Sequence, residues 1–243
     1  RDVVSGCRIL TKPETLPGRN REPTIMVLAG EASGDEHAGR VVTALKARWP
    51  GSRFLGIGGA RMKGQGVELL ADLDGLAVMG VAEVIPQLPF LHRLKRRLIS
   101  LLDSGVVDLV SPVDYAGFNL RIARAARRRE LPVLYYIAPK VWAWGARRVK
   151  KLAAYTNHLA VILPFEAEAL VRAGANATFV GHPLLETPAQ EPDRLEFCRR
   201  WRLDAQRPIL ALLPGSRAQE LRRHLALFLE AGRLVQDRAG DLQ

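Results

Sequence analysis

Residues 24–45 read TIMVLAGEASGDEHAGRVVTAL, and three signals follow one another along them. Thr24–Ala29 is a short, unbroken apolar run, the pattern of a parallel strand buried on both faces. Gly30–Asp35 holds two glycines and polar residues, a tight turn. Ala38, Val41, Val42 and Leu45 then recur at i, i+3, i+4 and i+7, which lays one apolar stripe along a helix. Strand, glycine turn and helix in this order are the opening of a βαβ unit.

The alternation continues on the C-terminal side. Pro50-Gly51 closes the helix and Arg53–Ile57 predicts a second strand. Leu91, Leu94, Leu98, Leu101 and Leu102 mark a helix. Val106–Val113, Val133–Ile137, Leu159–Leu163 and Ala177–Val180 predict further strands, with helical patterns near 118–129, 145–154 and 165–173. The expectation is an α/β domain with a parallel sheet and helices on both faces. Pro112 conflicts with a central strand, because it lacks a ladder donor. It predicts an early end or a bulge there.

Residues 1–23 read as a tail and 24–181 as the first domain. Residues 182–193, with three prolines, read as a linker. From 194 to 243 a helix near 194–202, an apolar strand Pro208–Leu213, the turn Pro214-Gly215-Ser216-Arg217 and a helix near 218–236 predict the start of a second strand–loop–helix domain. The sequence begins at Arg1 and stops at Gln243 directly after a helical pattern, which predicts a piece of a longer protein.

The 243 residues are 48% hydrophobic, and 36 Lys and Arg oppose 25 Asp and Glu, a net charge of +11. This composition excludes wholesale disorder. Two cysteines, Cys7 and Cys198, are too few for a disulfide framework or a cysteine-based zinc site. His37, His92, His158 and His182 show no metal-ligand spacing, so no metal is expected. No apolar run has the length of a membrane span, and the start of the chain does not read as a signal peptide. A cytoplasmic protein is the expectation.

The charge is concentrated. Phe90–Lys151 carries 14 basic and 4 acidic residues, while the flanking segments are close to neutral. A single run such as Arg127–Arg129 reads as a solvated helix face. Three runs in one segment (Arg93–Arg97, Arg121–Arg129 and Arg147–Lys151) point to a surface that seeks phosphate on a membrane, a nucleic acid or a substrate. Ala77–Leu102 joins an apolar stretch to one of these runs, as either an interfacial segment or a buried helix with a basic outer face does.

Several residues could carry chemistry. Gly30–Asp35 follows the first strand, at the sheet edge where α/β proteins bind ligands, although it is neither GxGxxG nor a P-loop. Asp35 there also reads as a helix N-cap. The three glycines of Gly56-Ile57-Gly58-Gly59 bring backbone close to a ligand or to packing. Asp114 ends a strand, which suits a general base and suits the N-cap of the next helix equally. Trp142 and Trp144 suggest a structured loop at the sheet edge. Gly215, Ser216 and Arg217 open a helix in the second domain, where N–H groups and a guanidinium suit a pyrophosphate.

Together these motifs resemble the lipid-A-disaccharide synthase family. LAGEASGD (28–35), GIGGARM (56–62), LAVMGVAEV (76–84), VDYAGFNL (113–120), APKVWAWG (138–145), LPFE (163–166), VGHPL (180–184) and LLPGSR (212–217) occur in that family's order. Ala60 and Ala116 stand where the family usually has proline. The resemblance implies a GT-B-like fold, two Rossmann-like domains with parallel sheets, the second incomplete in this sequence. It implies transfer of 2,3-diacylglucosamine from UDP-2,3-diacylglucosamine to 2,3-diacylglucosamine 1-phosphate, giving lipid A disaccharide 1-phosphate and UDP. Asp114 matches the family's essential aspartate, and Arg217, with Gly215 and Ser216, its UDP-binding loop. Glu31, Ser33, Gly34, Met79 and Asn119 match the acceptor side. No metal or other cofactor is implied. The partners implied are the two acylated sugars and the anionic cytoplasmic face of the inner membrane, with no nucleic acid. The later donor-binding motif is absent from this sequence, so this chain alone is expected to bind donor poorly and to be nearly inactive.

Two other classes share some of these features. Another GT-B enzyme of UDP-sugars, an N-acetylglucosaminyltransferase or a 2-epimerase, would have the fold without needing two acylated substrates. A non-enzymatic basic membrane-binding module would use the charge alone. Nucleic-acid stacking is disfavoured, because aromatic residues are 6% of the chain and are not interleaved with the basic runs.

Overall fold

A computed structural model describes residues 22–73, 88–140, 146–186, 193–215 and 218–243. Its chain packing divides into two compact units, Arg1–Glu186 and Thr187–Gln243. Met79, Trp142, Trp144, Ser216 and Arg217, the proposed tail up to residue 21 and most of the proposed linker (187–192) lie outside the described residues.

In the first unit the elements are β1 (Thr24–Ala29), α1 (Ala32–Arg48), β2 (Arg53–Gly58), α2 (Ala60–Gly64), β3 (Glu68–Asp72), α3 (Leu88–Asp103), β4 (Leu109–Val113), α4 (Ala116–Arg127), β5 (Leu134–Tyr136), α5 (Ala146–Tyr155), β6 (His158–Val161), α6 (Pro164–Arg172) and β7 (Ala177–Phe179). The seven strands form one parallel sheet in the order β3-β2-β1-β4-β5-β6-β7. All six residues of β1 are buried, as the unbroken apolar run predicts for a central strand.

Period-2 alternation sorts the side chains into two layers. Met26 and Leu28 of β1, Val110 of β4, Leu94, Leu98 and Leu102 of α3, and Phe118 and Ile122 of α4 share one core. Ile25, Val27 and Ala29, with Val113, pack on the other face against Ala38 and Val42 of α1 and Met62 of α2. A third cluster under β5 and β6 joins Tyr135, Leu159 and Val161 to Leu152 of α5 and Leu170 of α6. Helix α4 packs beside α3 on one side and α5 on the other. The three basic runs therefore belong to three successive neighbouring helices.

The strand containing Pro112 neither ends early nor bulges against β1. Leu28 and Pro112 are in regular register. The N–H groups of Val110 and Asp114 both donate toward the β5 side, to the carbonyls of Pro132 and Tyr136. By alternation the Pro112 nitrogen faces β5 as well, so the ladder to β1 loses no donor. The gap falls on the β5 side, where β4 meets β5 at one registered pair, Val113 and Tyr136, and at the bridge between Val110 and Val133.

Two elements depart from the sequence reading. Pro183–Glu186, inside the expected linker, forms a 3-10 turn, and the Pro183 carbonyl accepts from the Arg40 guanidinium. In the second unit α7 (Arg194–Trp201) is capped by Asp193, which accepts from the N–H groups of Leu195 and Glu196. Helix α8 (Ala218–Ala239) follows, but Pro208–Leu213 between them is not a strand. Its apolar pattern suits one, yet a strand exists only where a ladder partner does. Among the described residues its backbone bonds run to Gln243, from the Gln243 N–H to Pro208 and from Leu210 to the Gln243 carbonyl, and Leu213 is 81% exposed.

Candidate functional site

The chain leaves β1 for β2 on one side and returns through α3 to β4 on the other. The helices that follow β1 and β4 pack on opposite faces, α1 on one and α4 on the other. The loops Gly30–Glu31 and Asp114–Tyr115 therefore turn toward opposite faces at the C-terminal edge of the sheet, where open α/β sheets form their binding crevice, and the Tyr115 ring packs over Gly30 there. Ligand sites of open α/β sheets form at such a switch point.

The backbone here is strained. Asp114 and Tyr115 both have φ 48°, and Ile137 at the end of the neighbouring β5 has φ 56°. Left-handed backbone costs a non-glycine residue about 1–2 kcal/mol. For a β-branched residue it is a true outlier, and such outliers gather at functional sites. Surrounding bonds hold Asp114 in place. Its N–H donates to the Tyr136 carbonyl, and its own carbonyl accepts from the Tyr135 hydroxyl at 2.6 Å and from the Asn119 amide at 2.8 Å. Burial, reinforced by the Asp114 carboxylate, holds the Tyr135 phenol protonated, which keeps it a donor. Asn119, 1% exposed, also donates to the carbonyls of Leu28 and Val113, tying together the ends of β1 and β4.

Gly30 is required by a close approach. A Cβ there would lie 2.2 Å from the ring of Tyr115. Burial, and after it the charge of Glu31, raise the Tyr115 phenol above its usual range. Ser33 is exposed at the start of α1, and Gly34 is buried, where a Cβ would lie 3.6 Å from the Val113 carbonyl. Asp35 is not the N-cap of α1. That position is Glu31, and Asp35 sits in the first turn, 4% exposed. Its carboxylate accepts from the N–H groups of Gly59 at 2.7 Å, Arg61 at 2.9 Å and Met62 at 3.1 Å, and so caps α2 from another helix. Gly59 is small for that reason, since a Cβ there would lie 2.9 Å from the Asp35 carboxylate, while a Cβ at Gly58 would run into the Met62 side chain at 2.3 Å. Ala60 and Ala116, at the positions where the resemblance has proline, are each the first residue of a helix, where proline and alanine are both accommodated.

Sequence reading alone missed the residues around this crevice on the α1 side. The imidazole of His37 is held below its ordinary value of 6.5 by burial first and then by Arg40, with His182 adding to that and Glu36 and Asp114 opposing it. Its Nδ1 is buried without a hydrogen-bond partner. His182 accepts at Nδ1 from the N–H of Leu184. Burial and Glu186 raise the Tyr136 phenol, with Arg40 opposing. A signal for one of these was present, as His182 lies in VGHPL. Nothing in the spacing of His37 marked it. A carboxylate and a neutral imidazole near one crevice can accept a proton or orient a hydroxyl. Among the described residues no group of three or more His, Cys, Asp or Glu could hold a metal ion. In the second unit Gly215 has φ 125°, and a Cβ there would meet the Glu220 side chain at 2.6 Å.

A match to the lipid-A-disaccharide synthetase family spans residues 25–243. The chain belongs to that family. It is 42% identical over 219 residues to the lipid-A-disaccharide synthase of Myxococcus xanthus, covering 90% of this chain and 57% of that protein. With the Coxiella burnetii (strain Dugway 5J108-111) lipid-A-disaccharide synthase it shares 37% over 220 residues, 90% of this chain and 58% of that one. The chain thus spans a little under three fifths of the length of these relatives. Among solved structures, a Listeria monocytogenes protein provisionally described as a UDP-N-acetylglucosamine 2-epimerase is similar, with a TM-score of 0.61 at 13% identity over 91% of this chain and 61% of that one. The UDP-GlcNAc 2-epimerase of Neisseria meningitidis, bound to UDP-GlcNAc, gives 0.52 at 12% identity over 76% of this chain and 55% of that one. At these identities the likeness is one of fold, and it agrees with an α/β, GT-B-like class.

Proposed function

We propose that this chain carries the acceptor side, and the opening of the donor side, of a glycosyltransferase of lipid A biosynthesis. The reaction moves 2,3-diacylglucosamine from UDP-2,3-diacylglucosamine to 2,3-diacylglucosamine 1-phosphate. The observation that carries this reading is Asp114, set on left-handed backbone at the switch point and held there by Tyr135, Tyr136 and Asn119. A carboxylate on such a support suits a general base. In this mechanism it takes the proton of the acceptor's attacking hydroxyl. The hydroxyl oxygen bonds to the anomeric carbon of the donor sugar as UDP leaves with the electron pair of the broken bond.

Glu31, Ser33, Gly34 and Met79 line the acceptor side in this reading, and Asn119 acts by positioning the Asp114 main chain. Gly215, Ser216 and Arg217 hold the pyrophosphate of the donor and stabilise the charge that develops on it. Residues 194–243 begin the nucleotide-sugar domain. Leu225, Leu227, Leu229 and Leu234 of α8 are exposed, which supports a unit that packs against more structure than it contains itself. The acylated substrates and the basic outer faces of α3, α4 and α5 support work at the anionic cytoplasmic face of the inner membrane. Among the described residues no helix is long and apolar enough to cross a membrane.

The test uses a protein extended to the length of its relatives, both acylated substrates, and UDP release with disaccharide mass as readouts. Asp114→Asn is expected to lower kcat by about 10²–10⁴-fold with the fold intact. Full activity in that variant would remove Asp114 from its role. Turnover of UDP-N-acetylglucosamine with no disaccharide formed would replace the transferase by an epimerase-type reaction.

A further inference from the structure

At the C-terminal ends of α4 and α5 the surface sinks into an open depression of about 360 Å³, lined by Arg124, Arg127, Arg128, Ala154 and Tyr155. Helix α4 starts beside Asp114 and runs back along the sheet, so this depression lies at the opposite edge from the crevice. Its three guanidiniums sit at i, i+3 and i+4, on one side of the helix end. Arg124 lies over the Tyr155 ring at 5.7 Å, which holds it against α5. Lys151, one turn before Tyr155, adds a further exposed cation.

Cations in the last turn of a helix complement its dipole, and that accounts for some of this charge. It does not account for Arg127. Its Nε is buried and has no hydrogen-bond partner. A buried donor left unpaired is unfavourable, because it gives up its bonds to water with none in return. The neighbouring Arg129 shows what a satisfied guanidinium looks like here. It forks onto both carboxylate oxygens of Asp103, at 2.6 and 2.9 Å, and donates to the Ala125 carbonyl. Among the described residues no carboxylate pairs with Arg124, Arg127 or Arg128, although Glu130 follows closely in sequence.

We propose that Arg124, Arg127 and Arg128, with Tyr155 beside them, form a binding site for a phosphate-class anion, separate from the crevice at Asp114. The planar fork of arginine matches the oxygens of a phosphate, and an incoming oxygen supplies the acceptor that the Arg127 Nε lacks. The site does not rest on the transferase reading. A soluble phosphate ester and a phospholipid headgroup carry the same chemistry.

The test is NMR of the arginine Nε–H groups of this chain, titrated with inorganic phosphate and separately with vesicles of phosphatidylglycerol and of phosphatidylcholine. The Arg127 resonance is expected to shift saturably. A shift with phosphate identifies a soluble anion, and a shift with phosphatidylglycerol vesicles alone identifies a headgroup. Arg124→Gln with Arg127→Gln is expected to weaken binding about 10-fold or more, whereas the charge-matched pair Arg199→Gln and Arg200→Gln on α7 weakens it less than about 2-fold. Arg127→Lys keeps the charge and loses the fork, and is expected to weaken binding about 5-fold, a readout in a variant with little risk to the fold. No shift of Arg127 with any of the three probes overturns the proposal. Equal losses in the two double variants overturn it as well, because they mean diffuse charge and no site.

Discussion

Asp35 and Asp114 both follow central strands at the same edge of the sheet, and the protein uses them in opposite ways. The carboxylate of Asp35 is buried and accepts three backbone N–H groups of the Gly59–Met62 turn. It joins α1 to α2, and chemistry at that oxygen pair would cost the fold its clamp. At Asp114 the bonds from Tyr135, Asn119 and to Tyr136 reach the main chain and fix where the residue stands. One acid is structure throughout, while the other is positioned through its backbone. The lesson is that a carboxylate at a switch point is a site candidate only after its hydrogen bonds have been traced.

The contrast breaks first at Asp35. Asp35→Ala orphans three backbone donors and is expected to cost about 3–5 kcal/mol, read as a drop in the urea midpoint. Asp114→Asn is expected to leave that midpoint nearly unchanged, which is what separates the two acids. Asn119→Ala removes the donor shared by Leu28, Val113 and Asp114, and an expected loss of about 2–3 kcal/mol would show how firmly the Asp114 backbone is held. Gly30→Ala drives a methyl group into the Tyr115 ring, with an expected cost of about 1–2 kcal/mol and a change in tyrosine near-ultraviolet dichroism. The smallest effect belongs to His37. Its folded value lies below 6.5, so the unfolded chain takes up the proton first. Its contribution to stability is complete above about pH 6.5 and is lost as pH falls through the folded value. His37→Gln is expected to flatten the fall in urea midpoint between about pH 7.5 and about 5.5.

The sheet was largely legible because most of its strands, β1 above all, are short apolar runs separated by helical patterns. The edge strand β3 was not. Its sequence ELLAD has acids at both ends and exposed or half-exposed residues throughout, so neither burial nor alternation marks it. Helix α2 has five residues, too few for a periodic stripe. Pro208–Leu213 misled in the other direction, since hydrophobicity reports a tendency to pair and not the presence of a partner. For the candidate site, the motifs pointed to Asp114 and the Gly30 loop. The left-handed backbone at Tyr115 and Ile137 left no trace, because neither residue type favours it. The bond from Asp35 to Gly59 spans 24 positions and becomes visible only when the two loops meet in space.

Pro112 has an effect before the sheet exists. Its ring fixes its own φ, and it biases Ser111 toward extended conformations even in the unfolded chain. The segment that delivers Asp114 therefore loses less freedom on folding than its neighbours do. The missing donor also makes the two flanks of β4 unequal. A nascent β4 offers a full ladder to β1 and an interrupted one to any strand on the far side. The proline thus leaves the β1–β4 pair, which carries the switch point, with the complete ladder and the β4–β5 pair with the interrupted one.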